Sequence, residues 1–341
     1  MIIVKLRECK ICLNNTLNPT ISIGRNGLCR LCELYKNNFD GKLLKKELEF
    51  LKTFIGDSKN KKYDVMVGIS GGKDSTAILY TVLKIGFTPL AFTFDLGYYP
   101  QHIFSRAAQV ARKLGIDYVR IDIKKYIQKH DLVSYQKTAE LYSKKITPSL
   151  KREFLRNYVQ GKKYYSIKSK KSHAFVRVCI LCRHTVVPSY YREAARRGIK
   201  LIVLGINEWT GLSQDKKSNR FIFSGIRKIK LFSDKPPLYI VHLPFLLQRR
   251  ISDVNEILKT LGWKKPRGER LIETNANSCL LARASESKAD KLLGFHPDST
   301  RLSREVTVGF ITKQQARKAL AKVHNYRYSV RQVLQRAEII K

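Results

Sequence analysis

Val65-Met66-Val67-Gly68-Ile69-Ser70-Gly71-Gly72-Lys73-Asp74-Ser75 is the stretch on which the reading of this 341-residue chain turns. A short apolar run ends in a turn of small residues, and a helical pattern follows from about Asp74 to Lys84. In a strand, loop and helix arranged this way, open backbone N–H groups and the helix dipole can hold a phosphate. The loop is not the one found in kinases and GTPases. That pattern places Ser or Thr after its lysine, and here Asp74 follows Lys73 while Gly68 lies one residue too close.

Outward from the loop the unit repeats in type. Pro89 to Phe94 reads as a strand ending at Asp95, Ile103 to Leu114 as a helix ending at Gly115, and Tyr118 to Ile123 as a third strand. A later helix from Pro188 to Gly198 leads into the strand Lys200 to Gly205. Alternating strands and helices predict an α/β fold with a doubly wound parallel sheet and ligands beyond the carboxyl ends of its strands.

Ser-Gly-Gly-Lys-Asp-Ser resembles the pyrophosphate (PP) loop of the ATP pyrophosphatase superfamily, whose members cleave ATP between its α and β phosphates and adenylate a substrate. The resemblance implies that Ser70, Gly71, Gly72, Lys73, Asp74 and Ser75 wrap the pyrophosphate, with Asp74 holding Mg²⁺ and Lys73 countering the leaving charge. It also places Phe92, Thr93 and Asp95 near the adenosine and Gly205 and Asn207 beside the loop.

The seven cysteines fall into two sets. Cys9-x-x-Cys12 and Cys29-x-x-Cys32, sixteen residues apart, have the spacing of a four-thiolate zinc knuckle. An iron–sulfur or redox dithiol site competes with that reading. Cys179, Cys182 and Cys279 form a Cys-x-x-Cys pair plus one remote thiol, a set that can hold a [4Fe-4S] cluster with one iron open. A persulfide relay, a zinc site and inert thiols stay open as alternatives, and His184 is read as a helix-start residue. The loop together with these three thiols resembles the iron–sulfur-dependent 2-thiouridine and 2-thiocytidine tRNA thiolases. That likeness implies adenylation of a base carbonyl oxygen followed by sulfur insertion. The chain departs from them in lacking a second, C-terminal zinc module and in carrying Gly205-Ile206-Asn207-Glu208 after the fourth strand.

A second resemblance joins the two ends of the chain. Cys9 to Cys32, and His296 to Lys318 with Ser303-Arg304-Glu305 before Gly309-Phe310-Ile311-Thr312-Lys313, look like the corresponding parts of N-acetyl sugar amidotransferases. Those enzymes activate a sugar or other small carboxylate with ATP for attack by ammonia. A third reading is a basic zinc-knuckle RNA-binding protein with an ATP switch.

Charge bears on the partner. Lys and Arg number 66 against 27 acids, a net charge of +39, which favours a polyanion such as tRNA. A proteome-wide basic bias is the plain alternative. Residues 141–177 carry eleven Lys/Arg against Glu153, with Tyr142, Tyr158, Tyr164 and Tyr165 interleaved as candidates for stacking on unpaired bases. Hydrophobic residues at 43% exclude wholesale disorder. The apolar runs fall short of the 18–20 residues or so of a membrane span, and the basic start excludes a secretory signal, so a cytoplasmic enzyme is expected. The expected organisation is a zinc knuckle (1–40), a helical linker (41–62), an ATP-binding domain (63–235, basic insertion 141–177) and a basic, mainly helical C-terminal region (236–341). A sulfur donor, sulfide or a carrier protein, is implied; a homodimer is compatible with the sequence.

Overall fold

The computed structural model describes residues 6–57, 62–161, 170–230, 236–264 and 274–341. Helices α1 (Arg30–Asn38) and α2 (Gly41–Lys52) precede β1 (Val65–Gly68), α3 (Lys73–Ile85), β2 (Pro89–Asp95), α4 (Gln101–Lys113) and β3 (Tyr118–Asp122). Next come α5 (Lys129–Ser143), α6 (Pro148–Gly161), α7 (Val178–Arg196) and β4 (Leu201–Leu204). The antiparallel pair β5 (Gly211–Gln214) and β6 (Phe221–Ser224) leads to β7 (Ile226–Ile229) and β8 (Leu238–His242). The remaining helices are α8 (Leu243–Leu246), α9 (Ile251–Thr260), α10 (Leu280–Leu293), α11 (Ser299–Thr307), α12 (Lys313–Leu320) and α13 (Val330–Arg336).

The main sheet runs β3-β2-β1-β4-β8-β7, parallel throughout except for β7 at its edge. Alternation along each strand divides the core. Met66, Phe92, Ile202 and Ile240 point into one layer with Tyr135, Phe154 and Leu181 from the helices. Val65, Val67, Ala91, Val203 and Val241 point into the other with Leu51, Ile78 and Ala107. Burial on both faces is why these strands read as continuous apolar runs. The strand order reverses between β1 and β4, which opens a crevice at their carboxyl ends.

Three boundaries differ from the sequence expectation. β8 pairs with β4 in the same sheet, so the sheet extends past residue 235; a four- to five-residue apolar run carries no mark of its partner. Leu44 and Leu51 of α2 are buried in the second layer, which makes the expected linker a core helix. Helix α7 starts at Val178, ten residues before Pro188. Pro188 cannot donate to the carbonyl one turn back, but burial of Val178, Leu181, Thr185, Ser189 and Tyr191 along the helix outweighs that loss.

The basic segment also differs. Tyr142 and Tyr158 are core residues, their hydroxyls bonded to the Val176 carbonyl (2.6 Å) and the Asn18 amide (2.9 Å), so neither can stack on a base. Tyr164 and Tyr165 lie outside the described residues. Lys151, Arg152 and Arg156 on α6 are exposed.

Cys9, Cys12, Cys29 and Cys32 form a buried cluster with all four sulfurs within 4.8 Å of one another. Zn–S bonds of about 2.3 Å at tetrahedral angles set neighbouring sulfurs about 3.75 Å apart, and Cys12 Sγ lies 3.7 Å from Cys29 Sγ. The four cysteines fit a zinc knuckle. An ionised Cys29 pushes the Cys12 thiol up to about 12, so the set needs a cation to ionise fully. Within the knuckle Ile23 makes one isolated antiparallel bridge, to Cys29. The knuckle docks on the C-terminal helices. Cys32 Sγ meets Thr307 Oγ1 at 3.2 Å, and Lys313 pairs with Glu8 at 2.6 Å. Cys12→Ser should therefore remove about one zinc per chain and lower the melting temperature by several degrees. Elemental analysis with thermal unfolding checks this, and an unchanged zinc content contradicts it.

Candidate active site

The phosphate loop stands at the carboxyl end of β1. Ser75 Oγ accepts from the Ser70 N–H at 3.1 Å and lies 3.1 Å from the Gly72 carbonyl, so the turn is tied to the first turn of α3. Gly72 caps α3 with no side chain of its own, leaving the helix's first N–H groups facing the crevice. Gly71 has φ +70°, and a Cβ there would come 2.8 Å from the Ala107 N of α4. At Gly205, just after β4, a Cβ would come 3.2 Å from Ser75 N. Only glycine permits the approach at Gly71, and at Gly205 a side chain would have to shift the start of α3 by a few tenths of an ångström.

A cavity of about 570 Å³ opens on this loop. Of the expected ATP-site residues, Ser70, Gly72, Lys73, Asp74, Ser75, Phe92, Thr93, Gly205 and Asn207 line it. Gly71 shapes the loop from behind, its carbonyl accepting from Trp263 Nε1 at 3.4 Å. Asp95 departs from expectation. Its carboxylate is held by Arg120 (Nε at 2.9 Å) and by the Gly97 N–H (2.7 Å), so it supports the strand end instead of facing the adenosine side.

Lys73 Nζ lies 2.6 and 2.7 Å from the two Asp74 oxygens and over the Phe310 ring. Asp74 thus sets its carboxylate at the mouth of the phosphate loop, paired with Lys73. Asn207 Oδ1 and Thr274 Oγ1 are buried with no hydrogen-bond partner among the described residues, and both residues line the cavity. Unsatisfied buried acceptors are costly, so these two mark where a polar ligand belongs.

Helix α11 supplies groups not named as ATP-site residues from the sequence. Arg301 bonds Glu305 at 2.6 Å, and both line the cavity. Burial, with Asp74 and Glu208 nearby, raises the Glu305 carboxyl to about 7 against the pull of Arg301 and Lys73. Such a carboxyl can take or give a proton at neutral pH. The i, i+4 spacing of Arg301 and Glu305 was visible, but nothing in the chain assigned α11 to the mouth of β1.

Cys179 and Cys182 stand one turn apart on α7, and Cys279 precedes α10. Across about a hundred residues of chain the three half-buried thiols gather in one electrostatic neighbourhood, each pushed upward by burial. Tyr98 and Tyr99 bond Cys182 and oppose its rise. The set sits directly behind the cavity wall. Asn275 lines the cavity and lies 3.4 Å from Cys179 Sγ, and Tyr99, Val186 and Ser278 line it next to Cys182 and Cys279. The three thiols come from two segments and lie in mostly apolar surroundings. His184 is not at a helix start; it is buried on α7 beside Asp131.

A phosphate loop on a glycine turn, a cation-holding aspartate and a polar-lined crevice at the strand-order reversal define a nucleotide-binding site of the PP-loop type. Residues 43–172, which contain this loop, match the model of the family described as NAD synthase. No curated protein matches the chain. The match supports ATP use by a PP-loop domain. No helix among the described residues is long and apolar enough to cross a membrane.

Asp74→Asn should cut AMP formation about 100-fold or more with the melting temperature retained, as read by AMP release. The activity should also show a pH limb near 7 that Glu305→Gln abolishes. A raised carboxyl pKa costs folding stability as pH rises from about 4.5 through 7, so Glu305→Gln should close part of the stability gap between pH 5 and pH 8 in denaturant titrations.

Proposed function

We propose that the protein is an AMP- and pyrophosphate-forming PP-loop enzyme that adenylates a carbonyl oxygen of a tRNA base and replaces that oxygen with sulfur. The observation carrying this reading is the convergence of Cys279 with Cys179 and Cys182 behind the wall of the phosphate-loop cavity, joined to it through Asn275. The acceptor oxygen attacks the α-phosphorus of ATP and pyrophosphate leaves along the N-terminus of α3. Lys73 and the loop N–H groups counter its charge, and Asp74 would hold the Mg²⁺ that shields the phosphates. A sulfur nucleophile then adds at the carbonyl carbon, and AMP departs with the original oxygen. Cys179, Cys182 and Cys279 would hold an iron–sulfur cluster, which when bound supplies an open iron for sulfide. The net charge of +39 supports tRNA as the acceptor.

A second reading, ATP-dependent amide formation on a sugar or other small carboxylate, draws on the NAD synthase match and on Glu305 as a base near pH 7. One variant separates the two. Cys182→Ala should retain ATP binding and lose sulfur transfer to tRNA, as scored by mass spectrometry of digested nucleosides after anaerobic purification. Ammonia-dependent AMP release that persists in Cys182→Ala, with no thionucleoside from the wild type, selects the amide-forming reading.

A further inference from the structure

His130, Asp131 and His184 converge between α5 and α7, and the reading above makes no use of them. Asp131 opens α5 and is 1% exposed; His184 on α7 is 5% exposed. His184 Nδ1 lies 3.3 Å and His130 Nε2 3.4 Å from the same oxygen, Asp131 Oδ1, and all three atoms fall within 4.8 Å of one another.

These separations are long for N–H···O bonds, which centre near 2.9–3.0 Å. They do equal the edge of a metal tetrahedron: Zn–N and Zn–O bonds of about 2.0–2.1 Å at tetrahedral angles put neighbouring ligand atoms about 3.3–3.4 Å apart. The same construction accounts for the 3.7 Å sulfur separation in the knuckle. The surroundings hold the ligands in place. The His130 carbonyl accepts from Ser134 and Ser172 at 3.0 Å, and the edge of Phe175 packs against the His184 ring.

We infer that His130 Nε2, Asp131 Oδ1 and His184 Nδ1 form a divalent transition-metal site, zinc by its donor set, distinct from both cysteine sets and joining α5 to α7. Two imidazoles and one carboxylate are borderline donors that suit zinc and leave a fourth position for water. Because α7 also carries Cys179 and Cys182, the ion pins the helix that presents those thiols. The inference does not depend on the reaction proposed above.

The test uses the full chain, dialysed free of loosely held ions, with zinc measured per chain and cobalt(II) as a spectroscopic probe. His184→Gln and His130→Gln should each lose about one zinc, while Cys12→Ser loses a different one. Cobalt at the histidine site should give visible d–d bands without sulfur charge transfer, and His130→Gln should remove them. His130 is only partly buried, so its variant keeps the inference testable where His184→Gln does not fold. Zinc content and cobalt spectrum unchanged in His130→Gln would overturn the inference. So would a lowered melting temperature with no change in metal, which would make the trio a hydrogen-bonded strut.

Discussion

Backbone meets backbone at two places around the phosphate loop, and the pocket depends on both. Gly71 lies against α4 with no room for a Cβ, and Gly205 lies against the first turn of α3 with room for one only if that turn gives way slightly. The first contact curls the loop, and the second draws β4 against the start of α3. Together they set Asn207 and the amide-lined turn on one crevice. A methyl group at Gly71 would run into Arg106 and Ala107 of α4.

The C-terminal helices complete what the sheet begins. Helix α11 brings Arg301 and Glu305 to the cavity and Thr307 to the knuckle, so one helix touches both the phosphate site and the four-thiolate cluster. Lys313 and Arg317 on α12 then fasten Glu8. The knuckle packs its buried sulfurs with Ala77 of α3 and Leu302, Val306 and Phe310 of the cap, which holds the cap against α3.

Behind the pocket, α7 organises the polar interior. One face carries Cys179 and Cys182 toward Cys279, another carries His184 toward Asp131, and Glu193 near its end takes Arg196 and Arg197. Burying these groups on one helix is tolerable because His184 and Glu193 are paired. The hydrophobic remainder of α7 packs against the sheet face of Ile202 and Ile240.

The loop, the parallel α/β class and the knuckle were legible because each is written locally. A strand followed by small residues and a helix, alternating apolar runs, and paired cysteines at fixed spacing all act through neighbours in the chain. Asp95 misled because motif likeness does not say that Arg120 of the neighbouring strand takes its carboxylate. Pro188 misled because burial along α7 overrode its local preference. β8 went unassigned because partner choice in a parallel sheet is non-local. What the sequence alone determined was the chemistry available: phosphate-holding amides, a cation-holding carboxylate, thiols in two sets and a strongly basic surface. Only the tertiary structure decided which of these share a site. It brought Cys279 to Cys182, Glu305 to Lys73 and His184 to Asp131, because pairing across a hundred residues follows from sheet order and helix packing, which local sequence does not encode.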